Sequence, residues 1–230
     1  MKAFYDFHIH SCLSPCGGDD ATPLKIVAMA SAKGLHAIAL CDHNAIDNVE
    51  VAQKFGEMLD VVVIPAMELQ TNEEIHILTF FENYRNLKSF YDSVEFQYIE
   101  NKEEIFGRQL IVDEDDKIRG KVKRLLVTSA KESIYQIIPK VKSFGGLVYL
   151  AHIDRESNGI LNILGDIPSD IDFDGVEFTH PEQDLTQYIS MDANIIINSD
   201  AHNIDCINEK VNHLEVEKID ISTIFKRLKK

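Results

Sequence analysis

The sequence predicts an α/β fold, a closed or nearly closed β/α barrel in preference to a long open sheet. Three observations carry that reading. Short apolar runs of strand length alternate with stretches of helical period, the pattern of βα units around a mainly parallel sheet. About seven such units fit into the 230 residues, a number that suits a barrel. Hydrophobic residues make up 45% of the chain, enough for a sizeable core.

Taken in order, Ala3 to Ile9 reads as the first strand. Thr22-Pro23 starts a helix, a capping hydroxyl followed by Pro at the first helical position. This helix runs to about Lys33 and stops at Gly34. Ala37 to Cys41 is a second strand, residues 46 to 59 a helix, and Val61 to Ile64 a buried strand. Ile75 to Phe81 is a strand and Leu87 to Ile99 a helix. Ser133 to Phe144 is helical, and Gly145-Gly146 ends it. Leu147 to Ala151, Gly175 to Phe178 and Ile195 to Asn198 complete the strands, and Ser222 to Lys230 is a short terminal helix. No internal repeat or low-complexity tract interrupts the series.

One segment breaks the rhythm. From Glu100 to Arg124 more than half of the residues are charged, with acidic and basic residues equally numerous. Gln109 to Ile118 reads as a β-hairpin with an acidic turn at Asp113-Glu114-Asp115-Asp116. Two readings stand for this insertion, a solvated excursion or a lid over a site. One domain spanning 1–230, with this insertion at about 100–124, is the expected organisation, with no room expected for a further domain within these residues.

The formal net charge is −15. It argues against general binding of long nucleic acid, which needs a basic face to displace counterions. No stretch approaches about 18 consecutive apolar residues, so no membrane span is expected. The N-terminus lacks the apolar region of a signal peptide. Four Cys in a chain of this length are not a disulfide scaffold. A cytoplasmic protein with reduced thiols is the expectation, and the oligomeric state is left open.

The His positions point to chemistry. His8 and His10 stand at i and i+2 on a strand, so both point to one face. Similar residues then recur where strands end: Asp42-His43, Glu68, His152, Glu177 followed by His180, and Asp200 with His202. His76 lies within a strand. His36 and His213 lack such a setting and read as ordinary. In a β/α barrel the C-terminal strand ends converge on one mouth. Imidazole and carboxylate together suit zinc, iron or manganese, and so many ligand types imply two or three divalent ions.

The ordered set His8-Ile9-His10, Asp42-His43, Glu68, His76, His152 and Ser199-Asp200-Ala201-His202 resembles the motifs of the PHP (polymerase and histidinol phosphatase) superfamily. Members have a distorted seven-stranded β/α barrel, TIM-like, with up to three metals. They include small-molecule phosphatases and nuclease or proofreading domains. The resemblance implies a first metal held by His8, His10, Glu68 and Asp200. It implies a second held by a bridging Glu68 with His76 and His152. A third would be held by His43, His202 and one ligand from the loop after His10. There the family often has Asp or His, and this chain has Cys16, which reads either as a thiolate ligand favouring zinc or iron or as an inert buried thiol.

Asp42 and His180 are the further candidates for catalysis. Asp42 would act by buttressing a ligand. His180 would contact a phosphate, protonate the leaving group, or sit satisfied behind a ligand. Arg155 reads as a phosphate clamp or as a surface residue. The implied activity is hydrolysis of a small phosphomonoester or nucleotide by metal-activated water. The metals' positive charge governs the mouth more than the chain average does, so the acidic composition disfavours long nucleic acid without disfavouring a small phosphate ester. Competing readings are an exonuclease on short oligonucleotides, a scaffold without catalysis, and an amidohydrolase acting on a C–N bond.

Overall fold

The structure is a computed structural model that describes residues 1–179 and 193–230; His180 lies outside the described residues. Eight strands form one curled sheet in the order β10-β1-β2-β3-β4-β7-β8-β9. The strands are β1 (Lys2–Ile9), β2 (Ala37–Leu40), β3 (Val62–Gln70), β4 (His76–Phe80), β7 (Leu147–Leu150), β8 (Gly175–Phe178), β9 (Asn194–Ile197) and β10 (His213–Glu215). A separate hairpin joins β5 (Leu110–Val112) to β6 (Ile118–Lys121). The sheet curls back on itself just past its last inner strand: the His10 N–H donates to the Ala201 carbonyl at 2.9 Å, and the Ala201 N–H donates to the His8 carbonyl at 3.3 Å.

All seven expected strands are present, and the α/β barrel-like architecture is as expected. The eighth strand, β10, pairs antiparallel with the start of β1. Its three residues are too few to show an alternating pattern, so sequence reading passes over it. A second difference concerns direction. β1, β2 and β3 are mutually parallel, as are β7, β8 and β9, but β4 is antiparallel to both β3 and β7. The link from Gln70 to His76 is too short for a helical crossover, so β4 must return as a hairpin partner. A third difference is the length of β3. It continues through Pro65, where sequence reading stops it, because its second half pairs with β4 after β2 has ended. Glu68 therefore stands on a strand and not in a loop.

The helices cover the sheet. Helix α1 (Pro23–Ala32) begins at Pro23 as expected, but the Thr22 hydroxyl makes no cap hydrogen bond. Gly34, at φ +74°, ends it in the left-handed region that favours glycine. Helix α2 covers Val49–Leu59 and α3 covers Tyr84–Tyr91. The expected extension of α3 to Ile99 does not occur. Ser93 Oγ donates to the Phe90 carbonyl at 2.6 Å, and the chain then runs extended so that Phe96 bridges Ala130. Helix α4 (Ile134–Ser143) and a C-terminal helix, Ile221–Leu228, add to the cover. No helix among the described residues is long and apolar enough to cross a membrane.

Inside the curl, the lower half is aromatic. Tyr5 stacks on Phe7 with centroids 4.4 Å apart, and Phe80 meets Tyr149 edge-on at 5.4 Å. The Tyr149 hydroxyl donates to the Leu228 carbonyl at 2.6 Å, tying the C-terminal helix under the barrel. Gly175 admits the Tyr149 ring: a Cβ there would lie 2.1 Å from its Cε1. Above this apolar floor the strand ends turn polar.

The 100–124 insertion packs beside the mouth. Leu110 and Val112 are buried with Cys12, and Arg124 Nη2 donates to the Asn44 carbonyl at 2.7 Å. No residue of 100–124 lines the pocket at the mouth. The insertion braces the loops that carry site residues and does not cover them.

Candidate metal centre

Strand direction assembles the site. β1, β2, β3, β7, β8 and β9 deliver residues from their C-terminal ends, and the reversed β4 delivers His76 from its first position to the same mouth. His8 and His10, both buried, project from one face of β1. His8 Nδ1 lies 3.0 Å from each oxygen of Glu177, and His10 Nδ1 lies 3.0 Å from Ser14 Oγ. Each ring is thus held through Nδ1 from behind, and the inward Nε2 atoms approach to 3.1 Å. Asp200 Oδ1 lies 2.9 Å from His10 Nε2 and 3.3 Å from His8 Nε2.

Glu68 is the hub. Its Oε1 lies 2.9 Å from His76 Nδ1, 3.1 Å from His152 Nε2 and 3.5 Å from His8 Nε2. Its Oε2 lies 2.7 Å from His43 Nδ1 and 3.5 Å from His10 Nε2. His43 and His202 both reach the Cys16 thiol. Three groups could each hold an ion: His8, His10 and Asp200; His43, Glu68 and His76; and His10, Cys16, His43 and His202. All nine residues expected as ligands thus converge, but the grouping differs: Glu68 is not in the group of His8, His10 and Asp200, and His152, though 3.1 Å from Glu68, is in none of the three. His43 joins Glu68 as well as the Cys16 group, and His10 is shared between two groups.

The donor set fits divalent cations. Glu68 Oε2 is buried without a hydrogen-bond partner. Glu68 Oε2 is close to His43 yet not aligned for a hydrogen bond, as two donors converging on a common centre would be. Ligand atoms around a tetrahedral ion at about 2.0–2.1 Å stand roughly 3.4 Å apart, comparable with the spacing of the His and carboxylate atoms here. Charge placement agrees. Burial works against ionised Glu68, but His76, His43 and His8 outweigh it and hold the carboxyl well below its ordinary range. Burial also opposes ionised Asp200, and His8 and His10 overcome it. Burial and the neighbouring His43 push His10 down to about 3, leaving a neutral ring of the kind that ligates. Burial would raise the Cys16 thiol, but His202 and His43 bring it down to about 7.

A second layer holds these groups. Asp42, fully buried, accepts from Ser11 N at 2.8 Å, Ser11 Oγ at 2.7 Å and Ser14 Oγ at 2.7 Å. It acts on His10 through Ser14 and does not line the pocket. Glu177 ties three strand ends: besides His8 it accepts from the His152 N–H at 2.9 Å and from Asn198 Nδ2 at 2.7 Å. His152 and Asp200 have φ of 30° and 49°, left-handed values that cost a non-glycine residue energy and concentrate at functional sites. Arg155, at the rim, is ion-paired with Asp200. His36 and His213 lie away from the cluster, His36 Nδ1 accepting from the Phe4 N–H at 3.0 Å. Sequence reading missed Ser11 and Ser14, although both follow His10 closely, and Gln70, which stands two residues beyond Glu68.

The cluster floors a pocket of about 330 Å³. The PHP domain model matches residues 6–169. Over 81 residues the chain is 34% identical to a 5'-3' exoribonuclease of Haemophilus influenzae, covering 34% of this chain and 28% of that relative. Among solved structures, the lesion-specific endonuclease Q of Pyrococcus furiosus superposes with a TM-score of 0.70 at 17% identity, over 98% of this chain and 55% of that one. A proposed metal-dependent phosphoesterase from Bifidobacterium adolescentis superposes with a TM-score of 0.63 at 19% identity, over 97% and 95%. The chain spans about half of the endonuclease and less than a third of the exoribonuclease. Two of these relatives are named for action on nucleic acid. Motif order, strand ends and family match agree: the chain belongs to the PHP domain family.

Proposed function

We propose that this chain is a metal-dependent phosphoesterase acting on a small phosphomonoester or a nucleotide, its residues 1–230 forming one domain with the 100–124 insertion. One observation carries the reading: the buried Glu68 carboxylate is surrounded by His8, His10, His43, His76 and His152, with Asp200 alongside. So many imidazole nitrogens and carboxylates at a barrel mouth suit divalent cations. His8, His10, Glu68 and Asp200 would hold one ion, Glu68, His76 and His152 a second, and His43, His202 and Cys16 a third. When bound, such ions offset the charge of a phosphate and lower the pKa of nearby water toward neutrality.

The chain's own residues do the rest. Glu68 sets the spacing, since its two oxygens face different His groups. Glu177 and Ser14 fix which nitrogen of His8 and His10 faces the centre. Arg155 supplies a guanidinium at the rim for a phosphate oxygen. His180, outside the described residues, remains the candidate proton donor to the leaving group. The test is a panel of phosphomonoesters, phosphodiesters and nucleotides with added manganese, zinc or iron. Turnover that depends on the metal supports the reading. No turnover with any metal while ordered ions are bound overturns it.

The exoribonuclease match favours a second reading, removal of terminal nucleotides from an oligonucleotide. A labelled 5'-phosphorylated oligonucleotide separates the two: stepwise shortening at a rate above that on mononucleotides would favour the nuclease.

A further inference from the structure

Among the described residues, Gln70 is the one buried residue lining the pocket whose side-chain amide makes no hydrogen bond to the protein. It is 8% exposed and lines the pocket wall. Its backbone is used on both sides: the Gln70 N–H donates to Asn44 Oδ1 at 2.9 Å, and its carbonyl accepts from the Ala130 N–H at 2.8 Å. Its side-chain amide has no hydrogen-bond partner among the described residues. The amide is not among the fully buried polar groups without a partner, so it is open to the pocket and to whatever fills it. Gln70 stands two residues beyond Glu68 on β3, so both side chains leave the same face. The spacing along a strand puts it about 6.6 Å farther out than Glu68, roughly the span of one sugar ring beyond a phosphate seated over the cluster.

Beyond the cluster, the rest of the pocket lining is mostly uncharged. Ser157 and Asn158 belong to it, Asn158 using its Nδ2 on the Glu74 carbonyl and leaving its side-chain oxygen available. Val127 supplies an apolar contact, and Arg155, turned to Asp200, is the one Lys or Arg in the wall among the described residues. A primary amide offers a donor and an acceptor side by side, which complements adjacent hydroxyls, each able to donate and accept. A pocket of about 330 Å³ sits at the low end for ligand sites and suits a single monomer unit.

Resting on the phosphoesterase reading, we propose that Gln70 is the specificity residue for a hydroxylated leaving group, pairing with the diol of a sugar or nucleoside whose phosphate sits over the metal cluster. Such a site rejects an ester lacking the hydroxyls, because the amide would then stay unpaired.

The experiment compares the parent with Gln70→Leu and Gln70→Met, both folded by their unfolding midpoints, on ribose 5-phosphate, AMP and phenyl phosphate. The two hydroxylated esters distinguish a sugar from a nucleoside source. The expected result is a loss of about 10- to 100-fold in kcat/KM on the hydroxylated esters, mostly through KM, and a change within about 3-fold on phenyl phosphate. Equal losses on all three esters would show a structural role and overturn the proposal, as would no change on any. Should the parent hydrolyse none of them, the phosphoesterase reading fails separately, and calorimetric titration of the same compounds decides for Gln70. Weaker binding of the hydroxylated esters alone supports it, and equal or absent binding overturns it.

Discussion

Replacing Glu177 by Gln isolates the layer behind the metal cluster without changing side-chain volume. In the parent, Oε1 accepts from Asn198 Nδ2 at 2.7 Å, Oε2 accepts from the His152 N–H at 2.9 Å, and both lie 3.0 Å from His8 Nδ1. The amide can replace only one of these oxygens. With its nitrogen toward His152, the His152 N–H loses its acceptor. With its nitrogen toward Asn198, two NH₂ groups collide, and Asn198 cannot turn without losing the Phe7 N–H, which it accepts at 2.8 Å. Either arrangement leaves a buried donor unpaired, at a cost of about 1–3 kcal/mol. It also removes the carboxylate that keeps the proton on His8 Nδ1 and so frees Nε2 to ligate; second-layer losses of this kind lower metal affinity about 10- to 100-fold. Chemical unfolding of metal-free protein reads the first effect and competitive chelator titration the second. A variant with parental stability and parental metal affinity would refute the reasoning.

Other outcomes follow from the same geometry. His8→Ala or Asp200→Ala should abolish hydrolysis and lower metal content, whereas His36→Ala should do neither; loss of activity in a folded His36→Ala would refute the sorting of the His residues. Cobalt-loaded parent should show a near-ultraviolet sulfur-to-metal charge-transfer band that Cys16→Ser lacks, and a parent without the band would remove Cys16 from the ligand set. Burial raises Tyr5 to about 12. The unfolded phenol ionises near pH 10 while the folded one stays neutral, so stability is full below pH 10 and falls by about 2–3 kcal/mol as pH rises toward 12. Tyr5→Phe should flatten that alkaline loss in a pH series of unfolding curves. Gly175→Ala should destabilise by about 1–3 kcal/mol or more, because its Cβ would meet both the Tyr149 ring and, at 2.6 Å, the Asn194 carbonyl; an unchanged midpoint would contradict that packing.

Much of the site was legible because it obeys short-range rules. The i, i+2 spacing of His8 and His10 placed both on one strand face, and the recurrence of His and carboxylate at strand ends implied a shared mouth. His76 was harder. As the first residue of β4, it reaches the mouth because β4 runs backwards, and the short link after Gln70 was the available sign of that reversal. Glu68 was identified as a ligand but placed after a strand that stops before Pro65. A Pro at the point where one partner strand ends and another takes over does not interrupt pairing. The layer behind the ligands was less legible. Asp42 is readable as a buttress, but its partner Ser14 lies 28 residues away and meets it only through folding, so no local pattern announces the pair. Gln70 could have been found by the spacing rule applied to His8 and His10, extended from Glu68. The 100–124 insertion was legible as a charged hairpin, but its position beside the mouth depends on contacts with Cys12 and Asn44 that composition does not reveal.

The central claim is that the cluster around Glu68 is a metal centre. Elemental analysis of the purified protein after dialysis against buffer containing manganese, zinc or iron tests it most directly. Two to three equivalents per chain are expected, falling when Glu68 is replaced by Ala. Less than about one equivalent in the folded parent, whatever the metal supplied, would contradict it.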